Sequence, residues 1–330
     1  MVTINDVAKR AGVSRGTVSN VINHVKVRPG SQEKVEAAIR ELGYVPNAYA
    51  RSLKSQKTNT IAFILPTVWF PFFSELTNDL EQELRLRGYK MLLCNSHNDY
   101  NMELDYIQMA KENKVAGIIS ITYSDIEQYL TSNIPLVTIE RYFNSKIPFI
   151  SVDNFEGGRL AAKKLSELGC KKLNFIGRLA EKDSVTSLRR EGFVSYCREQ
   201  KIPYEELYST SPSKVFIEEV EEYIKAHYVK NGFCDGIFAA TDRYAEYILD
   251  DLERCGSERK VGEDLQIIGF DGAKSHQNQR TVLSTIRQPV EEIAKRAVDV
   301  IDAMIQGEEV PMYQLISAEF WQGKTTRRQD

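Results

Sequence analysis

The stretch TINDVAKRAGVSRGTVSNVIN, residues 3–23, constrains the fold more than any other part of the chain. Ile4, Val7, Ala8 and Ala11 recur at i, i+3, i+4 and i+7 behind Thr3, a residue suited to capping, so the spacing predicts a helix ending near Ala11. Gly12 supplies the positive φ that stops it. Ser14 is placed to cap a second helix, Arg15 to about Asn23, with Val18, Val21 and Ile22 inward. Pro29 suits the first turn of a third, which runs through Val35, Ala38, Ile39 and Leu42 to Gly43. Two short helices about a Gly-containing turn, braced by a third, make a helix-turn-helix.

With those apolar positions inward, the outer side of the second helix is left with Arg15, Gly16, Thr17, Ser19, Asn20 and Asn23. A merely solvated face tends to carry long Glu and Lys side chains. This one is short, polar or positively charged, with no acidic residue between Asp6 and Glu33. Such a surface fits a helix pressed against the phosphates and base edges of duplex DNA. Residues 1–57 carry 10 Lys+Arg against 4 Asp+Glu, and the rest carry 33 against 42, so the net −3 conceals a basic head on an acidic body.

At 330 residues, 42% hydrophobic and 27% charged, the composition is that of a soluble globular protein of two or more domains. No apolar run approaches the ~18 residues of a membrane span, and MVTINDVAKRAG lacks the apolar stretch of a secretory signal, so a cytoplasmic location is expected. Cys94, Cys170, Cys197, Cys234 and Cys255 are scattered, with no C-x-x-C, which argues against disulfides and a zinc site.

From Thr60 onward, short apolar runs alternate with amphipathic helices. IAFILP, YKMLLCN, VAGIISI, LVTIE, ISVDN, KLNFIG, DGIFAAT and LQIIGFDG read as buried strands of parallel α/β sheets, too many for one small sheet. The first strand is followed by TVWFPFF, which has no Gly, so a dinucleotide fingerprint is absent. G-x-x-x-x-G-K-[ST], G-x-S-x-G and H-E-x-x-H are absent too, and the four histidines are dispersed. No enzyme activity, cofactor or metal is expected. Gly157–Gly158, at a helix start, reads as close helix-to-strand packing.

A ligand of such a body would sit at the carboxyl ends of the strands. TVWFPFF places Trp69, Phe70, Phe72 and Phe73 there; Pro66 and Pro71 bracket a loop, where aromatics suit stacking, although at least one belongs to the core. Trp69 suits the apolar face of a sugar ring. Asp271 ends the GFD strand and Asp242 follows another, and each could instead cap a helix. Asp125 and Asp153 have no assigned role.

TINDVAKRAGVSRGTVSNVIN…KVEAAIRELGYVPNAYARSL resembles the amino-terminal domain of the LacI/GalR family of bacterial repressors, and the likeness covers essentially the whole chain. The resemblance implies that Arg15, Gly16 and Asn20 choose operator bases, within a DNA-contacting set of Thr3, Ser14, Arg15, Gly16, Thr17, Ser19, Asn20 and Asn23. Many members have Arg where Asn20 stands; Asn pairs bidentately with adenine. It further implies a hinge helix in 47–59, contributing Asn47, Ala50 and Leu53, with Leu53 wedged into the minor groove; the alternative is a polar linker. The helix-turn-helix domain then spans 1–46. Residues 60–330 form a periplasmic-binding-protein-like core for effector binding and dimerisation. Its N-subdomain covers about 60–154 and 286–316 and its C-subdomain about 155–285 and 317–330, with crossovers near 154–156, 284–288 and 315–319.

By the same resemblance, Phe72 and Phe73 cover the effector, LRREGF places the effector-binding arginine at Arg189, and AATDRYAEY aligns Asp242 with an N-D-x-x-A strand end. Two carboxylates facing one arginine suit a polyol, so the expected effector is a sugar, with a purine-type ligand or a phosphorylated carrier protein as alternatives. The expected assembly is a cytoplasmic homodimer on near-palindromic operator DNA, most simply a repressor. A solute-binding protein would need an export signal and no helix-turn-helix.

Overall fold

The computed structural model describes residues 2–23, 25–45, 58–124, 126, 129, 134–143, 147–178, 185–229, 234–274, 276, 278–279 and 281–328. Asn47, Ala50, Leu53 and Asp125 lie outside them. The chain divides into two compact units, Met1–Thr58 and Asn59–Asp330.

In the first unit, α1 (Ile4–Ala11), α2 (Arg15–Ile22) and α3 (Pro29–Leu42) follow local signals. Thr3 caps α1 in a capping box: its N–H donates to Asp6 Oδ2 at 2.8 Å, and the Asp6 N–H donates back to Thr3 Oγ1 at 3.4 Å. Gly12 sits at φ 65° and closes the helix by donating to Ala8 O. Ser14 Oγ accepts the Thr17 N–H at 3.1 Å and so caps α2. Val7, Val18 and Val35 are fully buried with Ala8, Ala11 and Ala38 between them. The small alanines let the helices approach, and each buried valine contributes about 1.5 kcal/mol or more.

The second unit begins with β1 (Thr60–Leu65), α4 (Pro71–Leu86), β2 (Lys90–Asn95), α5 (Tyr100–Glu112), β3 (Gly117–Ser120), β4 (Leu136–Ile139) and β5 (Phe149–Val152). It continues with α6 (Asn154–Glu167), β6 (Leu173–Arg178), α7 (Val185–Glu199), β7 (Tyr204–Ser209), α8 (Ser213–Tyr228), β8 (Gly236–Ala239) and α9 (Asp242–Arg254). It ends with β9 (Gln266–Asp271), β10 (Thr285–Arg287), α10 (Val290–Gln306), β11 (Tyr313–Ile316) and β12 (Glu319–Trp321). Among the described residues these strands form two six-stranded sheets, in the orders β11-β5-β4-β3-β1-β2 and β12-β10-β9-β8-β6-β7. Every pairing is parallel except β10 with β12. β3, β4, β5 and β8 are buried at every residue, as strands covered on both faces must be.

The chain passes between the sheets three times: after β5 at Asp153, after β10 at Gln288–Pro289, and between β11 and β12 at 317–318. β10 therefore pairs within the second sheet, so Ile286 and Arg287 belong there and not to the N-subdomain as expected. β7 and α8 are elements that sequence patterning did not single out. β7 is a half-exposed edge strand, YEELYS, whose charged residues obscure it.

The glycine pair does two different jobs. A Cβ on Gly157 would lie 2.7 Å from the Phe270 ring of β9, the helix-to-strand packing expected. A Cβ on Gly158 would lie 2.0 Å from the Arg189 carbonyl oxygen, and one on Gly192 would lie 1.9 Å from the Phe155 carbonyl oxygen. This second contact is helix against helix: α6 and α7 cross backbone to backbone, and only glycine fits at the crossing.

Candidate functional site

Two groups of candidate residues fall in the two units. On α2, Arg15, Gly16, Asn20 and Asn23 are exposed, while Thr17 and Ser19 are half-buried. Several are already engaged: the Thr17 and Ser14 hydroxyls meet at 2.9 Å, and Asn23 Nδ2 donates to Ser19 O at 2.8 Å, closing the carboxyl end of α2. Thr3 is held by Asp6, whose carboxyl is kept below the usual range by the Thr3 hydroxyl and N–H. The side chains of Arg15 and Asn20 have no partner within the unit among the described residues, although Asn20 O accepts the Val25 N–H at 2.9 Å.

In the second unit, the close crossing of α6 and α7 sets Arg189 at the centre of the strand ends, 3% exposed. Its Nε donates to Asn154 Oδ1 at 2.8 Å, and its Nη1 to Ala240 O at 2.7 Å. Asp271 Oδ1 lies 3.4 Å from Nη1, and the guanidinium lies over the Phe270 ring at 3.7 Å from the centroid. Nη2 has no protein partner among the described residues. Arg190, next in sequence, turns away to Glu206 and stacks on Tyr208 at 4.1 Å.

Asp271 occupies φ 117°, a left-handed backbone that non-glycine residues avoid, at the end of β9. Its Oδ1 also accepts from Gln288 Nε2 at 2.8 Å. Burial raises its carboxyl above the usual range, against the opposing pull of Arg189. Asp242 departs from the expectation of two carboxylates facing one arginine. Its Oδ1 accepts the Thr285 hydroxyl at 2.6 Å and its Oδ2 the Gly272 N–H at 2.7 Å, so both oxygens are spent tying the start of α9 to β10 and to the turn after β9. Burial first, then the Asp271 charge, pushes the Asp242 carboxyl well above the usual range.

The aromatic run divides by the helical period. Phe72 is core: Phe72, Leu76, Leu80 and Leu84 form the buried i+4 face of α4. It touches Phe73 edge-on at 5.4 Å, and Phe73 is partly buried. Trp69 is 85% exposed and is not brought against Arg189. Phe70 lies instead against the Arg243 guanidinium at 4.5 Å, a contact between the N-cap of α4 and the first turn of α9.

Several site residues were not singled out from the sequence. Glu140, at φ 60° beyond β4, accepts from Val152 N at 3.0 Å, Ser151 Oγ at 2.8 Å and Asn154 Nδ2 at 3.3 Å. Its carboxyl is raised by burial. Tyr123, half-exposed, has its phenol pushed up to about 12 by desolvation and the Glu140 charge. Glu140, Asn154, Arg189, Asp271 and Gln288 thus form one hydrogen-bonded chain from the first sheet through two crossovers. The available signal was position: an acidic residue closing LVTIE and a glutamine before Pro289. Asp153 caps α6 by accepting the Glu156 N–H at 3.0 Å.

Residues 3–47 match the family described as bacterial regulatory proteins, lacI family, and residues 162–326 match a periplasmic binding protein-like domain. The sucrose operon repressor of Streptococcus mutans is 36% identical over 310 residues, 93% of this chain and 94% of that protein. The chain belongs to the LacI family of bacterial regulatory proteins. A periplasmic binding protein/LacI transcriptional regulator from Alkaliphilus metalliredigens, solved with D-xylulofuranose, superposes with a TM-score of 0.71 at 28% identity, covering 82% of this chain and 99% of that one. The lac repressor dimer bound to operator shares the fold, with a TM-score of 0.84 at 23% identity over 99% of each chain. This LacI-family chain is a DNA-binding transcriptional regulator whose amino-terminal unit is the helix-turn-helix. Among the described residues, no helix is long and apolar enough to cross a membrane.

Proposed function

We propose that the chain is a cytoplasmic repressor that binds a near-palindromic operator as a homodimer and releases or tightens it when a carbohydrate binds at the Arg189–Asp271 centre. Residues 1–46 read DNA, with Arg15, Gly16 and Asn20 facing the bases and Thr3, Ser14, Thr17, Ser19 and Asn23 alongside the backbone. Residues 47–59 form the hinge, with Leu53 entering the minor groove beside Asn47 and Ala50. Residues 60–330 hold the effector and the second copy. No step of this reading is catalytic.

The observation that carries the effector reading is the half-used guanidinium of Arg189. Phe270 and three oxygen acceptors fix its plane, Asp271 Oδ1 the longest of them at 3.4 Å from Nη1, yet among the described residues Nη2 is left to donate beside a carboxylate that can accept. A hydroxyl both accepts and donates, so adjacent hydroxyls of a sugar satisfy the two groups together. The names of the relatives support a sugar: one is called a sucrose operon repressor, and one was solved with D-xylulofuranose. Phe73, Trp69 and Phe70 are the aromatic cover on the N-subdomain side. Phe72 supports them from the core, and Asp242 holds the Asp271 turn. The ligand acts through its different affinities for two arrangements of the subdomains.

Titration calorimetry with sucrose, ribose and xylulose tests the effector reading: one of them binds the parent chain and binds R189K at least tenfold more weakly. Absence of binding by all three, or equal binding to R189K, overturns it. Genome-wide mapping of bound sites tests the operator separately and should return a near-palindrome. Sequence-blind binding that disappears at moderate salt overturns that part.

A further inference from the structure

We infer that Glu75 is a positioning residue: paired with Arg287 across the two subdomains, it braces their relative angle and ties that angle to Asp271. Glu75 lies on α4, which packs on the first sheet, while Arg287 ends β10 in the second. The pair is two-pronged, with Arg287 Nη2 donating to Oε1 at 2.7 Å and Nη1 to Oε2 at 2.8 Å, and both side chains are largely buried. Planar guanidinium against planar carboxylate fixes orientation as well as distance.

The rest of Arg287 is equally constrained. Nη1 also donates to Gly272 O at 2.8 Å, and the guanidinium lies 4.9 Å from the Trp321 ring centroid. Gly272 is at φ +64°, and a Cβ there would lie 2.7 Å from Arg287 Cδ, so the side chain is seated against the bare backbone of that turn. Glu75 Oε2 reaches the same turn directly, accepting the Lys274 N–H at 2.9 Å. One carboxylate of the first subdomain therefore holds the Lys274 end of the segment that follows Asp271 directly and its Gly272 end through Arg287.

The neighbouring residue completes the link. Gln288 donates from its backbone to Asp271 O at 2.9 Å and from its side chain to Asp271 Oδ1 at 2.8 Å. Arg287 and Gln288 are adjacent at the crossover into α10. Movement of α4 relative to the second sheet pulls on Arg287 and on the 272–274 turn, and both connect to Asp271 within one residue. The brace assumes nothing about which ligand binds; only its consequence for ligand response rests on the effector reading above.

Spin labels test the brace in the full chain without any ligand. Cys255, the one cysteine not buried, is replaced by Ser, and labels are placed at D105C on α5 and K214C on α8, both exposed positions on opposite sheets' helices. In E75Q, which keeps the shape of the side chain and removes its charge, the inter-label distance distribution should gain a component displaced by more than about 2 Å, the scale of hinge rearrangements. R287M should give the same component, and the double variant no further displacement, since all three break one contact. R287K, which keeps the charge and loses the second prong, stands in for R287M should that protein not fold. Distributions in E75Q and the Arg287 variant that superimpose on the parent overturn the inference, as does a displacement in E75Q with none in the Arg287 variant. A role confined to stability would lower the unfolding midpoint and leave the distances unmoved.

Discussion

Arg189 gives three of its contacts to Asn154, Ala240 and Asp271 and keeps Nη2 back. Its removal therefore has two separable consequences. R189A leaves Asp271 raised by burial and without its cation, and breaking a largely buried pair costs about 3 kcal/mol; urea unfolding should report a loss of that size together with loss of sugar binding. Operator affinity of the folded fraction should be nearly unchanged, because Arg189 belongs to the second unit and the helix-turn-helix folds about its own core in the first. Asp242 allows a pH test. Its folded value lies above its unfolded value, so the folded state holds the extra proton between the two. Stability from this group is greatest at and below the ordinary carboxylate range and declines as pH rises through the raised folded value. Asn mimics the protonated form, accepting through its oxygen and donating to Thr285. D242N should therefore show a flatter fall of urea midpoint with rising pH than the parent, and parallel slopes would refute the assignment.

At the scale of elements, the α6–α7 crossing decides where the site is. G192A would set a methyl 1.9 Å from the Phe155 carbonyl oxygen, and backbone cannot yield as a side-chain tip can. We expect a loss of about 3 kcal/mol, at or above the usual range for overpacking, and weaker ligand binding because α7 carries Arg189. The helices of the first unit were legible because their signals are local: Thr3, Gly12, Ser14, Pro29 and Gly43 each act within one turn. β10 and β12 were not, because three-residue strands have no periodicity to read and exist only through partners far along the chain. The aromatic run shows the boundary between the two cases. The i+4 row from Phe72 to Leu84 marks Phe72 as core once α4 is known to begin at Pro71, whereas the Phe70–Arg243 contact depends on an approach between sheets that no spacing records.

Across the whole molecule, the two units carry separate cores. Val7, Val18 and Val35 close one; in the other, one cluster runs continuously from Ile61 and Phe63 of the first sheet to Phe238 and Phe270 of the second, and a separate cluster gathers Ala62, Ile64, Ile107 and Ile118 about the first sheet. Small domains bury a smaller share of their surface and are correspondingly marginal. Scanning calorimetry should resolve a small transition of the first unit and a larger one of residues 59–330, and the fragment 59–330 alone should keep the midpoint of the larger. A single transition lost entirely on removing residues 1–58 would contradict this. Within the larger unit, the shared core across both sheets predicts cooperative unfolding despite the two subdomains.

The amino-acid sequence by itself determined the helix-turn-helix and the α/β character of the remainder, because capping and periodicity act between residues close along the chain; Arg189 was singled out only through the family resemblance of LRREGF. Only the tertiary structure decided that Asp271 alone of the two aspartates meets Arg189, that Glu140, Asn154 and Gln288 complete the network, and that Glu75 reaches Arg287. These contacts join residues far apart along the chain, and their geometry depends on how two sheets and three crossovers pack, which short-range pattern does not encode.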